Sequence, residues 1–179
     1  ISQTGFIGLV HPEGTYDDPN GQLLRSELYP RLKYHFQFIN ELMLFQEIHH
    51  SNFFGIHIYS GFKNKIDFLS ISNLFSVSTI DGCFLHDGFG EVGGIKIKDF
   101  STNKLKWNIF SHKNRIVKIS ETELTIIANT FENGINSNEV KLVSIHSKEI
   151  LDVLKRFSLF KTIVSDYNYF STNGLNETN

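Results

Sequence analysis

One cysteine, three prolines and no long apolar run leave this 179-residue chain without the usual covalent staples or membrane anchors. Cys83 has no partner for an internal disulfide, and no CxxC or Cys/His zinc spacing surrounds it, so a reducing, cytoplasmic setting is expected. No stretch approaches the length needed to cross a bilayer, and Ile1-Ser-Gln-Thr4 has neither a basic region nor a cleavage site, so no membrane association is expected. HExxH and GxSxG are both missing, which removes the simplest zinc-protease and serine-hydrolase readings. Internal repeats and low-complexity tracts are missing too. The chain opens on Ile1 and closes on polar Asn176-Glu-Thr-Asn179, ends expected of an excised domain.

What is present is enough to fold. Hydrophobic residues make up 40% and aromatics 13%, Phe alone numbering 17, against a net charge of only −2. That balance is far from the low-hydrophobicity, high-charge signature of disorder, and the length suits one domain or one and a fraction.

Residues 5–11 are a short apolar run closed by Pro12 and a turn-rich loop to Gly21, which predicts a buried, parallel-type strand. From Gln22, Leu23, Leu24, Leu28 and Leu32 recur at helical spacing with Arg25, Glu27, Arg31 and Lys33 between them, an amphipathic helix that Pro30 should kink or restart. Residues 36–45 and 53–59 read as two strands joined in a hairpin. Residues 65–118 are turn-rich, with strand-like pieces at 65–69 and 94–98. Two helices follow, at 120–131 behind a Ser120-Glu-Thr-Glu123 capping box and at 147–160 with Ser147 as N-cap.

Three motifs need weighing. Gly88-Phe-Gly-Glu-Val-Gly93 fits GxGxxG, but no apolar strand leads into it and strand-like residues follow, so a glycine-rich turn is the reading and no cofactor role is assigned. His57 lies in a strand and His49-His50 in a loop, so surface or hydrogen-bonded histidines are expected and no metal site. Glu139-Val-Lys141 matches half of a nuclease pattern, too loosely to count. Residues 96–118 say more: Lys96, Lys98, Lys104, Lys106, Lys113, Arg115 and Lys118 surround the single acid Asp99, with Phe100, Trp107 and Phe110 interleaved. Such a stripe is how phosphate contacts with nucleic acid are built, and it equally fits a solvated face over core aromatics.

Gly8-Leu-Val-His-Pro-Glu-Gly-Thr-Tyr-Asp-Asp-Pro-Asn-Gly21, Leu24-Arg-Ser-Glu-Leu-Tyr-Pro-Arg-Leu32 and His35-Phe-Gln-Phe-Ile-Asn-Glu-Leu42 together resemble large adenine-N6 DNA methyltransferases of type IIG-like restriction-modification and related phage-defence systems. The likeness continues through Phe54-Gly-Ile-His-Ile-Tyr59, Thr79-Ile-Asp-Gly-Cys-Phe84, Ser111-His-Lys-Asn-Arg-Ile-Val117 and His146-Ser147, and so covers most of the chain. The family's FxGxG-type cofactor loop and its Asn/Asp-Pro-Pro-aromatic motif, which holds the flipped adenine, do not occur here.

The resemblance implies an α/β (or α+β) fold: the C-terminal half of a Rossmann-like methyltransferase sheet, then a turn-rich β segment and two or more helices. The strand ending at Pro12 would be the fifth of that sheet and residues 53–59 the last. The expected divisions are residues 1–62 for the late strands and helix, 63–119 for the basic β segment, and 120–179 for a helical segment leading to target recognition. The parent would transfer a methyl group from S-adenosylmethionine to adenine N6, while this fragment would be inactive, binding neither cofactor nor metal. Its partners would be DNA and the remainder of its own methyltransferase domain. Tyr59 and Phe62 stand where the family stacks an aromatic on the extruded base, and the seven cations of the stripe would meet the DNA backbone. From the residues alone, the alternative is a nucleic-acid-binding or interaction module without chemistry.

Overall fold

The computed structural model describes residues 2, 4–132, 134–160, 162 and 167. The polar tail at residues 176–179 and most of the chain beyond 160 lie outside them. In chain order the strands are β1 (Ile7–Pro12), β2 (Leu32–Ile39), β3 (Phe53–Tyr59), β4 (Asp67–Leu74), β5 (Lys96–Lys98), β6 (Leu105–Trp107) and β7 (Val117–Ser120). The α-helices are α1 (Gly14–Asp17), α2 (Gln22–Leu28), α3 (Ser78–Leu85), α4 (Glu121–Phe131) and α5 (Lys148–Phe157). The fold is therefore mixed α/β, in keeping with the order of strand and helix signals along the sequence.

Five strands form one sheet in the order β1-β3-β2-β4-β7, and β5 and β6 form a separate two-stranded ribbon. β3 runs antiparallel to both its neighbours, so β1 and β2, on either side of it, are parallel to each other. β2 pairs parallel with β4, and β7 closes the far edge antiparallel to β4. Because side chains alternate across a strand, this register places Leu9, His57 and His35 side by side on one face.

Each face has its own core. On one, Tyr16, Tyr29, Leu32, Tyr59 and Phe68 pack with Leu124 and Ile127 of α4 and Leu151 of α5. On the other, Phe36, Phe38, Phe54, Ile71 and Leu74 pack with Cys83 of α3. Complete burial of one such aliphatic or aromatic side chain contributes about 1.5–3 kcal/mol. Burial holds the Cys83 thiol up, away from the thiolate.

Several local features differ from the sequence-based expectations. The apolar run at β1 predicts a buried, parallel strand, but β1 is an exposed edge strand antiparallel to β3. α2 stops at Leu28, with Tyr29 as a C-cap that keeps helical dihedrals and donates to the Arg25 carbonyl, and Pro30, which has no N–H to continue the ladder, follows. Its burial pattern departs as well: Arg25 is buried and Leu28 packs on the core, while Leu23 and Leu24 face outward. Arg25 donates to the carbonyls of Glu139 (2.8 Å) and Asp18 (2.6 Å), which satisfies a guanidinium that leucine spacing places outside. Asp81-Gly82 has the chemistry of a turn, yet α3 runs through it. Gly82 lets the chain at Ser111 lie against the helix, where a Cβ would come within 2.1 Å of Ser111 Oγ. The capping box at Ser120 and Glu123 is present, closing the start of α4.

Candidate functional site

Three polar side chains from separate elements meet beneath the sheet face that carries α1 and α2. Glu13 lies in the turn after β1, His35 is the fourth residue of β2, and His57 is the fifth of β3, paired across the ladder with His35. All three are buried. The Glu13 carboxylate accepts from His35 Nε2 at 3.0 Å on one oxygen and from His57 Nε2 at 3.1 Å on the other. On its far side His35 Nδ1 meets Ser70 Oγ at 3.0 Å, while His57 Nδ1 is buried without a partner among the described residues. The His11 ring stacks on His57 with centroids 4.2 Å apart.

Gly55 makes this arrangement possible. A Cβ at that position would come within 2.1 Å of Glu13 Oε1 and 2.3 Å of the His57 ring. A glycine inside a strand weakens it, and here it marks the close approach of a carboxylate. Burial pushes the Glu13 carboxyl up, but the charge and hydrogen bonds of His35, and then of His57, outweigh it and hold the group well below the ordinary carboxylate range. Burial pulls His57 down to about 4, against the hydrogen bond to Glu13. The site is thus a buried carboxylate between two imidazoles, and these three residues form a cluster with metal-ligand spacing.

Sequence reading misses this cluster because it weighs His57 alone, beside His49 and His50. The available signal is register: once residues 32–39 and 53–59 are paired as a hairpin, His35 falls opposite His57. His49 and His50 do lie on the surface, where His50 Nδ1 meets Glu41 at 3.2 Å.

Tyr59 does not present its ring to solvent. Only 4% of it is exposed, and its hydroxyl is 2.6 Å from that of Tyr16, so it is a packed strand-end tyrosine in this chain. Phe62 is exposed, with the Arg31 guanidinium 5.2 Å from its ring centre. Of the two expected stacking residues, Phe62 is exposed and Tyr59 is not.

The basic stripe is likewise divided. Arg115 is wholly buried and donates to the carbonyls of Phe110 (2.8 Å) and Asn73 (3.0 Å), so it cannot contact phosphate from this position. Lys106 pairs with Asp99 and Lys118 with Asp67, each at 3.2 Å. Lys96 lies over the Trp107 ring at 4.1 Å. Lys98, Lys104 and Lys113 are exposed and, among the described residues, have no ion-pair partner. Strand alternation puts Lys96 and Lys98 on one face of the β5–β6 ribbon and Lys106 on the other. Phe100, at the ribbon's turn, is 96% exposed.

The glycine run forms a loop, with Gly88, Gly90 and Gly93 at positive φ and strand β5 after it, which is the geometry of a turn and not of a helix-opening phosphate cradle. With His146, Ser147 and Ile150 it borders a cavity of about 610 Å³. His146 is buried with neither ring nitrogen hydrogen-bonded among the described residues; burial first, then the nearby Arg115 charge, holds it down at about 4.

Among the described residues no helix is long and apolar enough to cross a membrane. Compared with known proteins, the chain matches no protein-family model, no curated protein and no solved structure.

Proposed function

We propose that this chain is the late portion of a cytoplasmic adenine-N6 DNA methyltransferase serving restriction-modification or phage defence. The parent moves a methyl group from S-adenosylmethionine to adenine N6, and the chain alone is inactive. The observation that carries the reading is β1. Ile7, Leu9 and Val10 are 42%, 47% and 59% exposed on a strand whose outer edge has no partner among the described residues, and Phe6, just before it, is 60% exposed. Edge strands are normally blunted by lysine, proline or a bulge, and a strand apolar on both faces belongs inside a sheet covered on both sides. Leu24 of α2 extends the same apolar surface, bordering a groove with Ile7 and Leu9. A fifth strand with the first part of its sheet alongside explains why these side chains are apolar.

In this reading the chain supplies sheet to the methyltransferase domain, Phe62 to the base pocket, and lysines of the β5–β6 ribbon to the DNA backbone. Cofactor and catalytic residues belong to the preceding part of the parent. Two measurements test it. The coding sequence upstream of Ile1 should specify an Asn/Asp-Pro-Pro-aromatic motif within about 100 residues, on the scale of half a domain. The full-length product should form N6-methyladenine in unmethylated plasmid, detected by mass spectrometry, where the 179-residue chain forms none. A missing motif, or methyl transfer by the isolated chain, overturns the proposal. A non-catalytic nucleic-acid module is the second reading, favoured by the lysines and bare Phe100 of the ribbon.

A further inference from the structure

We propose that Glu13, His35 and His57 form a binding site for one zinc ion. This inference is independent of the methyltransferase reading and rests on geometry, charge and the shape of the surrounding backbone.

Each residue offers one ligand atom, and the three atoms lie within 4.8 Å of one another. Both imidazoles already aim Nε2 at the carboxylate, at 3.0 and 3.1 Å. A tetrahedral zinc ion bound at 2.0–2.1 Å holds its ligand atoms roughly 3.3 Å apart. Entry of the ion therefore requires these separations to close by up to about 1.5 Å and each imidazole to carry its proton on Nδ1 instead of Nε2, where Ser70 Oγ can accept it from His35.

Charge points the same way. A carboxylate 3% exposed has two imidazoles as its ion-pair partners among the described residues, and each of these is positive only while protonated. Burying such a group without a counter-ion is costly, and a dication supplies one. The donor set, two imidazole nitrogens and one carboxylate oxygen, suits zinc and leaves a fourth position for water, whereas magnesium and calcium prefer oxygen alone.

The surroundings have the features of a built site. Ser70 Oγ on His35 Nδ1 is the kind of outer partner that fixes the orientation of a ligating imidazole. Gly55 keeps the space between Glu13 and His57 clear of any Cβ. Glu13 also borders a surface cavity of about 680 Å³ with His11, Asp17 and Phe53, so solvent-accessible space lies beside the cluster. The competing arrangement is a closed polar knot in which both imidazoles donate to Glu13 and no ion enters.

The test uses the full 179-residue chain after chelation and dialysis. Titration with Co²⁺, an optical probe for zinc sites, should give visible absorption that saturates at one equivalent and is displaced by Zn²⁺. Zn²⁺ should raise Tm, and one zinc per chain should survive gel filtration. Glu13→Gln should weaken zinc binding by more than about tenfold, the least that removal of a ligating group should cost. His49→Ala/His50→Ala, which removes the surface pair, should leave affinity unchanged. No saturable uptake by the wild-type chain at micromolar zinc overturns the proposal, whatever becomes of the variants. So does binding that disappears with His49 and His50.

Discussion

At the scale of single residues, Gly55 and His146 show how much depends on one atom. Gly55→Ala places a methyl group inside the space of Glu13 and His57. Overpacking of this kind costs typically about 1–3 kcal/mol, so chemical denaturation should show destabilisation in that range, while Gly14→Ala, where nothing lies within 4 Å, should change stability little. His146 makes a prediction in pH. Its folded pKa, about 4, lies below its ordinary 6.5, so between those values the unfolded chain binds the proton that the folded chain refuses. Its contribution is complete above pH 6.5 and is lost as pH falls toward 4. His146→Leu should therefore flatten the stability profile, the difference from wild type shrinking by up to about 2 kcal/mol between pH 7 and 5. Parallel profiles would remove His146 from the acid response. Residue type is legible in the sequence here and surroundings are not: Arg115 looks like any other cation of its stripe until the carbonyls of Phe110, Ser72 and Asn73 are seen around it.

Secondary elements are readable where the signal is local. The β3 strand and the Ser120 capping box can be read from a handful of neighbouring residues, because β-branched and aromatic alternation and reciprocal cap hydrogen bonds are short-range effects. α3 is hidden because Asp81-Gly82 has turn chemistry, and only its packing against Ser111 gives Gly82 a reason to be helical. α2 keeps Leu28 on the core but buries Arg25 beside it and leaves Leu23 and Leu24 outside, since periodicity cannot tell where carbonyl partners will be found. The basic segment from Lys96 to Lys118 carries the prediction at this scale. Charge reversal at Lys98, Lys104 and Lys113, each exposed, should weaken the parent's binding to specific and random duplexes alike, because phosphate contacts carry no sequence information. It should also flatten the slope of log K against log salt by about 0.9 for each phosphate left without its lysine. The same change at Lys118 and Lys106, which are paired with Asp67 and Asp99, should matter less. Unchanged affinity and slope in the Lys98, Lys104 and Lys113 variant would make the segment an ordinary solvated face.

For the whole molecule, the mixed α/β class is legible from the order of strand and helix signals, but not the placement of β3 between β1 and β2, nor the polar cluster that this placement creates. Both depend on pairings between residues far apart in sequence, such as Ile7 with Tyr59, to which no local pattern is sensitive. That placement has a consequence in time. β2 and β3 are joined by residues 40–52 alone, so their ladder closes a short loop, whereas β1 can pair only with a β3 made much later in the chain. The hairpin should form before the rate-limiting barrier and β1 dock after it. Phe38→Leu, which trims the β2–β3 stacking with Phe54 at 5.1 Å, should then slow refolding. Tyr16→Phe, which strips the Tyr59 hydroxyl of its partner beyond β1, should leave the refolding rate alone and speed unfolding. Stopped-flow chevrons with the opposite assignment would mean that β1 docks early. With the expected assignment, the first event in losing this fold is the departure of its apolar edge, and native-state hydrogen exchange should find the amides of Ile7–Pro12 opening at a lower free energy than those of β2.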